Sequence, residues 1–192
     1  MIYPYISECN WVDIVVVVII LRMCYVGIKQ GFGVEVFKII NLCFCSFIAL
    51  HFYYSLGEFL HSVLPPLPTE PAATFSFLLL LTIITLIFRV LRDTFFVFFK
   101  KGEANKTSVL LGGAIGALRG IGIAGLIAFG LVISQNHYLE LSSRTSVLGG
   151  RFIKVPVKIY EFVFNKILSN VSADQSFNEK VIEAFKKKEE KQ

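Results

Sequence analysis

The fold of this chain is decided by residues 108–133, SVLLGGAIGALRGIGIAGLIAFGLVI, in which Arg119 is the single charged residue. A bilayer core needs about 20 apolar residues in one helix, so this run predicts a transmembrane helix. The whole chain agrees, because 55% of its 192 residues are hydrophobic, 19 are Phe, and the mean hydropathy is +0.66. A soluble domain this small could not bury so much apolar surface. We therefore exclude an ordinary soluble enzyme, a disordered chain and a disulfide scaffold.

Three more apolar runs precede this one, and they predict Trp11–Val26, Val34–Tyr54 and Thr74–Phe99 as further spans. Gly27 and Gly31 mark a turn between the first two, and a Pro-rich loop separates the second from the third. We expect an all-α integral membrane protein with four transmembrane helices. The short first and third connectors predict two antiparallel hairpins.

The composition changes after the fourth span, and this change suggests three parts of the chain. Residues 1–136 form the four-helix transmembrane domain. Residues 137–172 form an amphipathic region whose apolar side chains recur at helical spacing, and we expect this region to lie on the membrane surface. Residues 173–192 are charged and predict a flexible tail.

Lysine and arginine are distributed unevenly around the spans, and this distribution predicts the orientation. Residues 1–11 and 55–73 contain neither, whereas the other two connectors are basic. Since basic connectors stay in the cytoplasm, we expect the N-terminus outside, and four spans then place the C-terminus outside as well. Residues 1–11 also lack the basic segment that begins a signal peptide.

Small residues form a stripe along the fourth span, at Gly112, Gly116, Gly120 and Ala124. In lipid, small residues let helix backbones approach closely. The stripe therefore predicts helix packing, either within the chain or between chains, and a hinge at the glycines is the alternative. A phosphate-binding loop is excluded, because no strand precedes the glycines and no Lys-Ser/Thr pair follows them.

Four of the charged residues inside or at the edges of the spans are candidate intramembrane charges: Asp13, Glu35, Asp93 and Arg119. Arg119 lies 11 residues after Ser108, about 16 Å along an ideal helix, and a charge at that depth costs about 2.5–3.5 kcal/mol. A structural ion pair with Glu35, Asp93 or Asp13 is one explanation for a charge at this depth. The alternatives are that Arg119 lies in a transport pathway or ligand site, or that its side chain snorkels to the membrane surface. We interpret Asp13 as an interfacial cap and Asp93 as a marker of the cytoplasmic interface.

The sequence contains little that indicates a catalytic or ligand-binding site. The chain has no recognisable nucleophile and base, and His51 and His61 lack a convincing third metal ligand. Its basic residues are not clustered beside stacking aromatic residues, as a nucleic-acid surface requires. We therefore expect no enzyme activity, no cofactor, no metal and no nucleic-acid partner.

Several motifs together resemble the colicin V production protein (CvpA) family. They are Asn10-Trp11-Val12-Asp13, Gly27, Gly31-Phe32, Glu35, residues 49–54, the LGxxxGxxRG-like run of residues 111–120, and residues 143–148. The family often has an acidic residue before the glycine signature, where this chain has Thr107 and Ser108. The resemblance implies a bacterial cytoplasmic-membrane protein with about four spans, associated with colicin V production or export and with envelope integrity. It implies no known catalytic residue and no cofactor.

These observations lead to three hypotheses of function, of which the third is a membrane enzyme that would need an external or buried cluster of His and carboxylate side chains. The first is a non-enzymatic membrane protein that supports toxin production or export and envelope homeostasis. It would act through helix packing and through contacts with the lipid bilayer, with a second copy of the chain, or with membrane and secretion proteins. The second is a small transporter or channel subunit with a pathway near Arg119.

Overall fold

A computed structural model of the protein describes residues 10–63, 68–98, 106–134, 136–165 and 181. The described residues form seven helices and no strand. The helices are α1 (Trp11–Gln30), α2 (Phe32–Val63), α3 (Thr69–Phe98), α4 (Lys106–Ile133), α5 (His137–Thr145), α6 (Val147–Phe152) and α7 (Lys154–Val163). Four of them, α1 to α4, contain stretches long and apolar enough to cross a membrane. The predicted all-α fold with four transmembrane helices is confirmed.

The four long helices extend beyond the predicted spans. A single residue, Gly31, separates α1 from α2, and its φ of 77° lies in the left-handed region that favours glycine. At 32 residues, α2 measures about 48 Å and is longer than the hydrocarbon core of a bilayer. It must therefore tilt or project beyond the membrane surface.

Helix α4 lies at the centre of the bundle. More than half of its apolar window is buried inside the protein, against less than a quarter for α1 and α3. The most extensive packing joins α1 to α4 and α2 to α3, whereas α1 and α2 contact each other only slightly. The predicted hairpins are therefore not confirmed as packing units, because the short link at Gly31 does not bring the lengths of α1 and α2 together.

The three short helices pack against the bundle at the end where α1 begins and α4 finishes. They contact α1, α2 and α4, and α7 places Val157, Tyr160 and Phe164 in the main core cluster beside Phe129. The apolar face of α7 is thus turned towards protein, whereas the sequence suggested a helix lying on the membrane surface. The predicted tail, residues 173–192, lies outside the described residues apart from Val181.

Candidate functional site

The small-residue stripe of α4 packs in direct backbone contact with α1. A Cβ atom added to Gly112 would lie 2.5 Å from the carbonyl oxygen of Gly27, and one added to Gly120 would lie 2.9 Å from Cα of Ile20. A Cβ on Gly116 would clash with the carbonyl oxygen of Met23. Only glycine fits at these positions, because the backbones of α1 and α4 are in direct contact.

Ala124 continues this contact towards the C-terminal end of α4. It is 1% exposed and packs with the side chains of Val12 and Val16 on α1. The structure therefore places the whole stripe inside the chain, facing α1.

Of the two glycines predicted at the turn, one is there and the other is not. Gly31 occupies the turn, where its N–H caps α1 by donating to the carbonyl of Gly27. Gly27 itself lies within α1, buried against the backbones of Gly112 and Gly116. The prediction of a turn at Gly27 is wrong, because this glycine allows close packing in a continuous helix.

Arg119 belongs to a buried charged cluster that we name the Arg119 cluster, formed by Arg119, Glu35 and Lys38. Arg119 Nη2 lies 3.3 Å from Glu35 Oε2, and Lys38 Nζ lies 2.6 Å from Glu35 Oε1. The Glu35 side chain is fully buried, and that of Arg119 is 8% exposed. One carboxylate thus links α2 to α4 while it accompanies two cations.

Polar neighbours extend this cluster. Lys38 also contacts the side-chain oxygen of Gln30, and Arg119 Nη2 lies 3.2 Å from the thioether sulfur of Met23 on α1. Two buried atoms, Arg119 Nε and Glu35 Oε2, make no hydrogen bond with the described residues. The cluster is therefore incompletely satisfied, with spare hydrogen-bonding capacity on both sides of the ion pair.

The other two candidate partners lie away from Arg119. Asp93 is exposed near the end of α3, where its Oδ1 accepts hydrogen bonds from its neighbour Arg92 at 2.9 and 2.7 Å. Asp93 is therefore not the partner of Arg119, which was one of the three pairings considered from the sequence. Asp13 lies at the opposite end of the bundle.

Asp13 is 2% exposed and joins α1 to α6. Its Oδ1 accepts from the Ser146 hydroxyl and the Leu148 N–H, both at 2.7 Å, and its Oδ2 accepts from the Asn10 N–H at 3.0 Å. Asn10 completes a capping box at the start of α1. The predicted cap at Asp13 is present, and the same carboxylate also holds the first turn of α6.

Asn10 strengthens this junction from the same end of α1. Its side-chain amide donates to the Ser142 carbonyl at 3.0 Å and to the Thr145 hydroxyl at 3.2 Å, both in α5. Helix α1 is thereby tied to the C-terminal helices at its N-terminal end and to α4 along its length.

The contacts made by His51 and Lys38 were not identified from the sequence. His51 Nδ1 and the Tyr160 hydroxyl are 3.0 Å apart and join α2 to α7; no local spacing relates residues so far apart in sequence. Lys38 was detectable, since Glu35 and Lys38 are three residues apart on one helix and such pairs lie on the same face.

A cavity of about 710 Å³ lies beside the Arg119 cluster and is lined by all four long helices. Five basic side chains line it: Arg22, Lys38, Arg89, Arg92 and Arg119. The remaining lining is mostly apolar, and none of the described residues that line it is acidic. This arrangement can attract an anion, but it does not place a nucleophile beside a general base.

Metal-binding geometry is not present in the described part of the chain. No group of three or more His, Cys, Asp or Glu side chains there comes close enough to hold a metal ion.

Comparison with known proteins gives one match. The model of the family described as "Colicin V production protein" matches residues 12–155, which is most of the chain. This range includes α1 to α6, the glycine stripe and the Arg119 cluster. No curated protein and no solved structure matches the chain.

Proposed function

The chain belongs to the colicin V production protein family, and from this membership we propose that it supports toxin production or export and envelope homeostasis without catalysing a reaction. The family ties it to colicin V production as a membrane protein. The finer proposal is that it acts as a helical scaffold, which holds lipid and partner proteins at defined places in the membrane.

The observation that carries this proposal is that the two buried carboxylates, Asp13 and Glu35, both link helices. Asp13 links α1 to α6, and Glu35 links α2 to α4 while it accompanies Lys38. Buried charges in membrane helices are costly and are kept where they pair or serve a site. Here both acids connect helices to each other, as a scaffold requires.

The partners in this proposal are the bilayer, a second copy of the chain and other membrane or secretion proteins. Large apolar side chains are exposed along both α1 and α3, including Ile14, Leu21, Leu86 and Val90. In a bilayer such faces contact lipid or the helices of a partner. Because the glycine stripe is already packed against α1, we expect a second copy to bind through α3 rather than through α4.

We further propose the bacterial inner membrane as the location, with the start of α1 on the periplasmic side. The basic side chains Arg22, Lys38, Arg89 and Arg92 all lie towards the other end of the bundle, and the positive-inside rule places that end in the cytoplasm. Helices α5 to α7 then lie on the periplasmic side, since Asn10 binds α5 directly.

Complementation tests the proposed role. A bacterial strain that produces colicin V but lacks its own family member would be given this chain, and toxin would be measured inside the cells and in the medium. We expect toxin in the medium to recover and sensitivity of the cells to SDS to fall. Unchanged toxin levels in both fractions, with the protein present in the membrane, would refute a role in production or export.

A transporter or channel subunit is the second candidate, and the cavity beside Arg119 is the observation that favours it. A cysteine at Thr85, which lines the cavity and is exposed, would report on water access in a variant whose four native cysteines are serine. A pathway predicts reaction with a charged thiol reagent from both sides of the membrane. The scaffold predicts slow reaction from at least one side.

A further inference from the structure

The cavity beside Arg119 has more positive charge than the described acidic residues neutralise. Five basic side chains line it. Nearby, Glu35 pairs with Lys38 and Arg119, and Asp93 pairs with Arg92. Two acids therefore face five cations, and Arg22 and Arg89 have no ion pair among the described residues. Within a membrane, cations without a counter-charge are strongly unfavourable, so the cavity favours an anionic ligand.

A buried donor of Arg119 supports the same conclusion. Arg119 is 7% exposed, and its Nε makes no hydrogen bond with the described residues. A buried N–H of a charged group that lacks an acceptor is costly. An anion in the cavity would supply the missing acceptor, because Arg119 itself lines the cavity wall.

The apolar part of the lining shows what kind of anion fits. Leu81, Phe88, Leu126 and Ile127 line the cavity together with the basic side chains, and its volume of about 710 Å³ lies within the range of sites for whole small molecules. An inorganic phosphate would leave these apolar walls uncovered. A molecule with a phosphate and a hydrocarbon chain would satisfy both parts of the lining.

The position of the cavity provides a route for such a molecule. Helices α1 and α3 pack extensively against α4 and α2, respectively, but hardly against each other, and both contribute walls to the cavity. Arg22 on α1 and Arg89 on α3 are exposed, so the cavity is open on their side of the bundle. A lipid could therefore enter sideways between these two helices.

We propose that this cavity binds an anionic phospholipid, with its phosphate against Arg22, Arg89 and Arg119 and an acyl chain along Leu81 and Leu126. Basic pockets between transmembrane helices on the cytoplasmic side are suited to acidic headgroups. The proposal goes beyond the scaffold role, since it assigns a specific ligand to a specific cavity, and a scaffold without a lipid site would leave the proposed function intact.

Native mass spectrometry of the delipidated full-length protein tests this site through titration with four probes: phosphatidylglycerol, phosphatidylcholine, glycerol phosphate and inorganic phosphate. We expect phosphatidylglycerol to bind at least tenfold more tightly than phosphatidylcholine. The two soluble phosphates should compete weakly. Equal binding of the two lipids would overturn the site, and competition by inorganic phosphate at concentrations equal to the lipid would assign it to a soluble anion instead.

Charge variants locate the binding. In the double variant R22Q/R89Q, phosphatidylglycerol should bind about 25-fold more weakly, because each basic group near a lipid phosphate contributes about fivefold to the affinity. Binding of phosphatidylcholine should be unaffected. The matched control R151Q/K158Q removes two exposed cations that lie outside the cavity lining and should bind like wild type. An equal loss in both double variants would contradict the site, and the wild-type titrations decide the lipid preference even if a variant fails to fold.

A filling variant tests the cavity without changing any charge. Thr85 lines the cavity beside Arg89, so T85W should occupy part of the space and weaken phosphatidylglycerol binding at least fivefold. Unchanged binding by a folded T85W protein would show that the lipid lies elsewhere.

Discussion

At the scale of single residues, Arg119 shows how a deep charge is accommodated in this bundle. It pairs with Glu35, touches the sulfur of Met23 and lines a cavity. Glu35 in turn serves Lys38 as well. Because one carboxylate accompanies two cations, removing it should affect more than a single pair.

The first prediction concerns the Arg119–Glu35 pair. E35Q should lower the free energy of unfolding in detergent by about 3 kcal/mol, because it leaves both Arg119 and Lys38 without their carboxylate. R119Q should lower it less, since Glu35 keeps its ion pair with Lys38. The double variant E35Q/R119Q should recover the part of the E35Q loss that comes from the unpaired Arg119, and Lys38 should account for the remainder. A double-mutant cycle of reversible unfolding measures the coupling, and additive losses would contradict a structural pair.

R92Q provides the control for that cycle. The Arg92–Asp93 pair is partly exposed, with side-chain exposures of 25% and 59%, and such pairs contribute at most about 1 kcal/mol. R92Q should therefore be nearly as stable as wild type.

The second prediction concerns Asp13. D13A should lower stability by about 2–3 kcal/mol, since it removes an ionised acceptor and leaves the Leu148 N–H and the Ser146 hydroxyl without that partner. Hydrogen exchange at the Leu148 amide should become much faster. D13N keeps an acceptor and should lose less stability than D13A. If the Leu148 amide of D13A were as well protected from hydrogen exchange as that of wild type, Asp13 would not hold α6.

Prediction from sequence succeeds at this scale where spacing or depth limits the choices. Depth alone identifies Arg119, and Glu35 is among its three candidate partners. Asp93 is not a partner, because its neighbour Arg92 is closer and exposed. Tyr160 could not be predicted, since its contact with His51 depends on how α7 folds back on the bundle.

At the scale of helices, the contact between α1 and α4 determines the packing. Backbone meets backbone at three glycines of α4, and Gly27 provides the matching surface on α1. In a membrane, where lipid is as apolar as the side chains, close van der Waals packing of this kind stabilises helix pairs.

The third prediction tests this contact. G116L should prevent α1 from docking on α4, because a Cβ at this position already clashes with the backbone of Met23. We expect loss of the folded protein in detergent, measured by size-exclusion chromatography and circular dichroism. G33L is the matched control, since a Cβ on Gly33 meets nothing within 4 Å; equal behaviour of G116L and wild type would contradict the packing.

Helix positions follow from the sequence, but helix pairing does not. Apolar runs of sufficient length reveal all four spans, because a bilayer sets a minimum length. Pairing depends on which faces are complementary, and the short turn at Gly31 suggested a hairpin that α1 and α2 do not form along their lengths. The stripe on α4 identified one contact surface, but the sequence did not show which helix packs against it.

At the scale of the whole molecule, the distribution of charge predicts the orientation. The basic residues of all four spans lie at the end of the bundle that holds the Arg119 cluster, and α5 to α7 lie at the other end. The described C-terminal helices thus share a side with Asn10, as an even number of spans requires.

The fourth prediction tests this orientation. In a variant with its native cysteines replaced by serine, S62C on α2 and K158C on α7 should react with a membrane-impermeant maleimide in intact spheroplasts. K106C at the start of α4 should react only after permeabilisation. The reverse pattern would place the Arg119 cluster on the periplasmic side.

The central claim is that the buried charges hold the helices together and perform no chemistry. Colicin V in the medium, measured for a complemented strain that carries E35Q/R119Q, tests this claim most directly. We predict that the double variant exports more toxin than E35Q alone, and that the toxin levels of the three variants follow their stabilities. A double variant as stable as wild type that exports no more toxin than the strain without the protein would contradict the claim, because Arg119 and Glu35 would then be needed for more than packing.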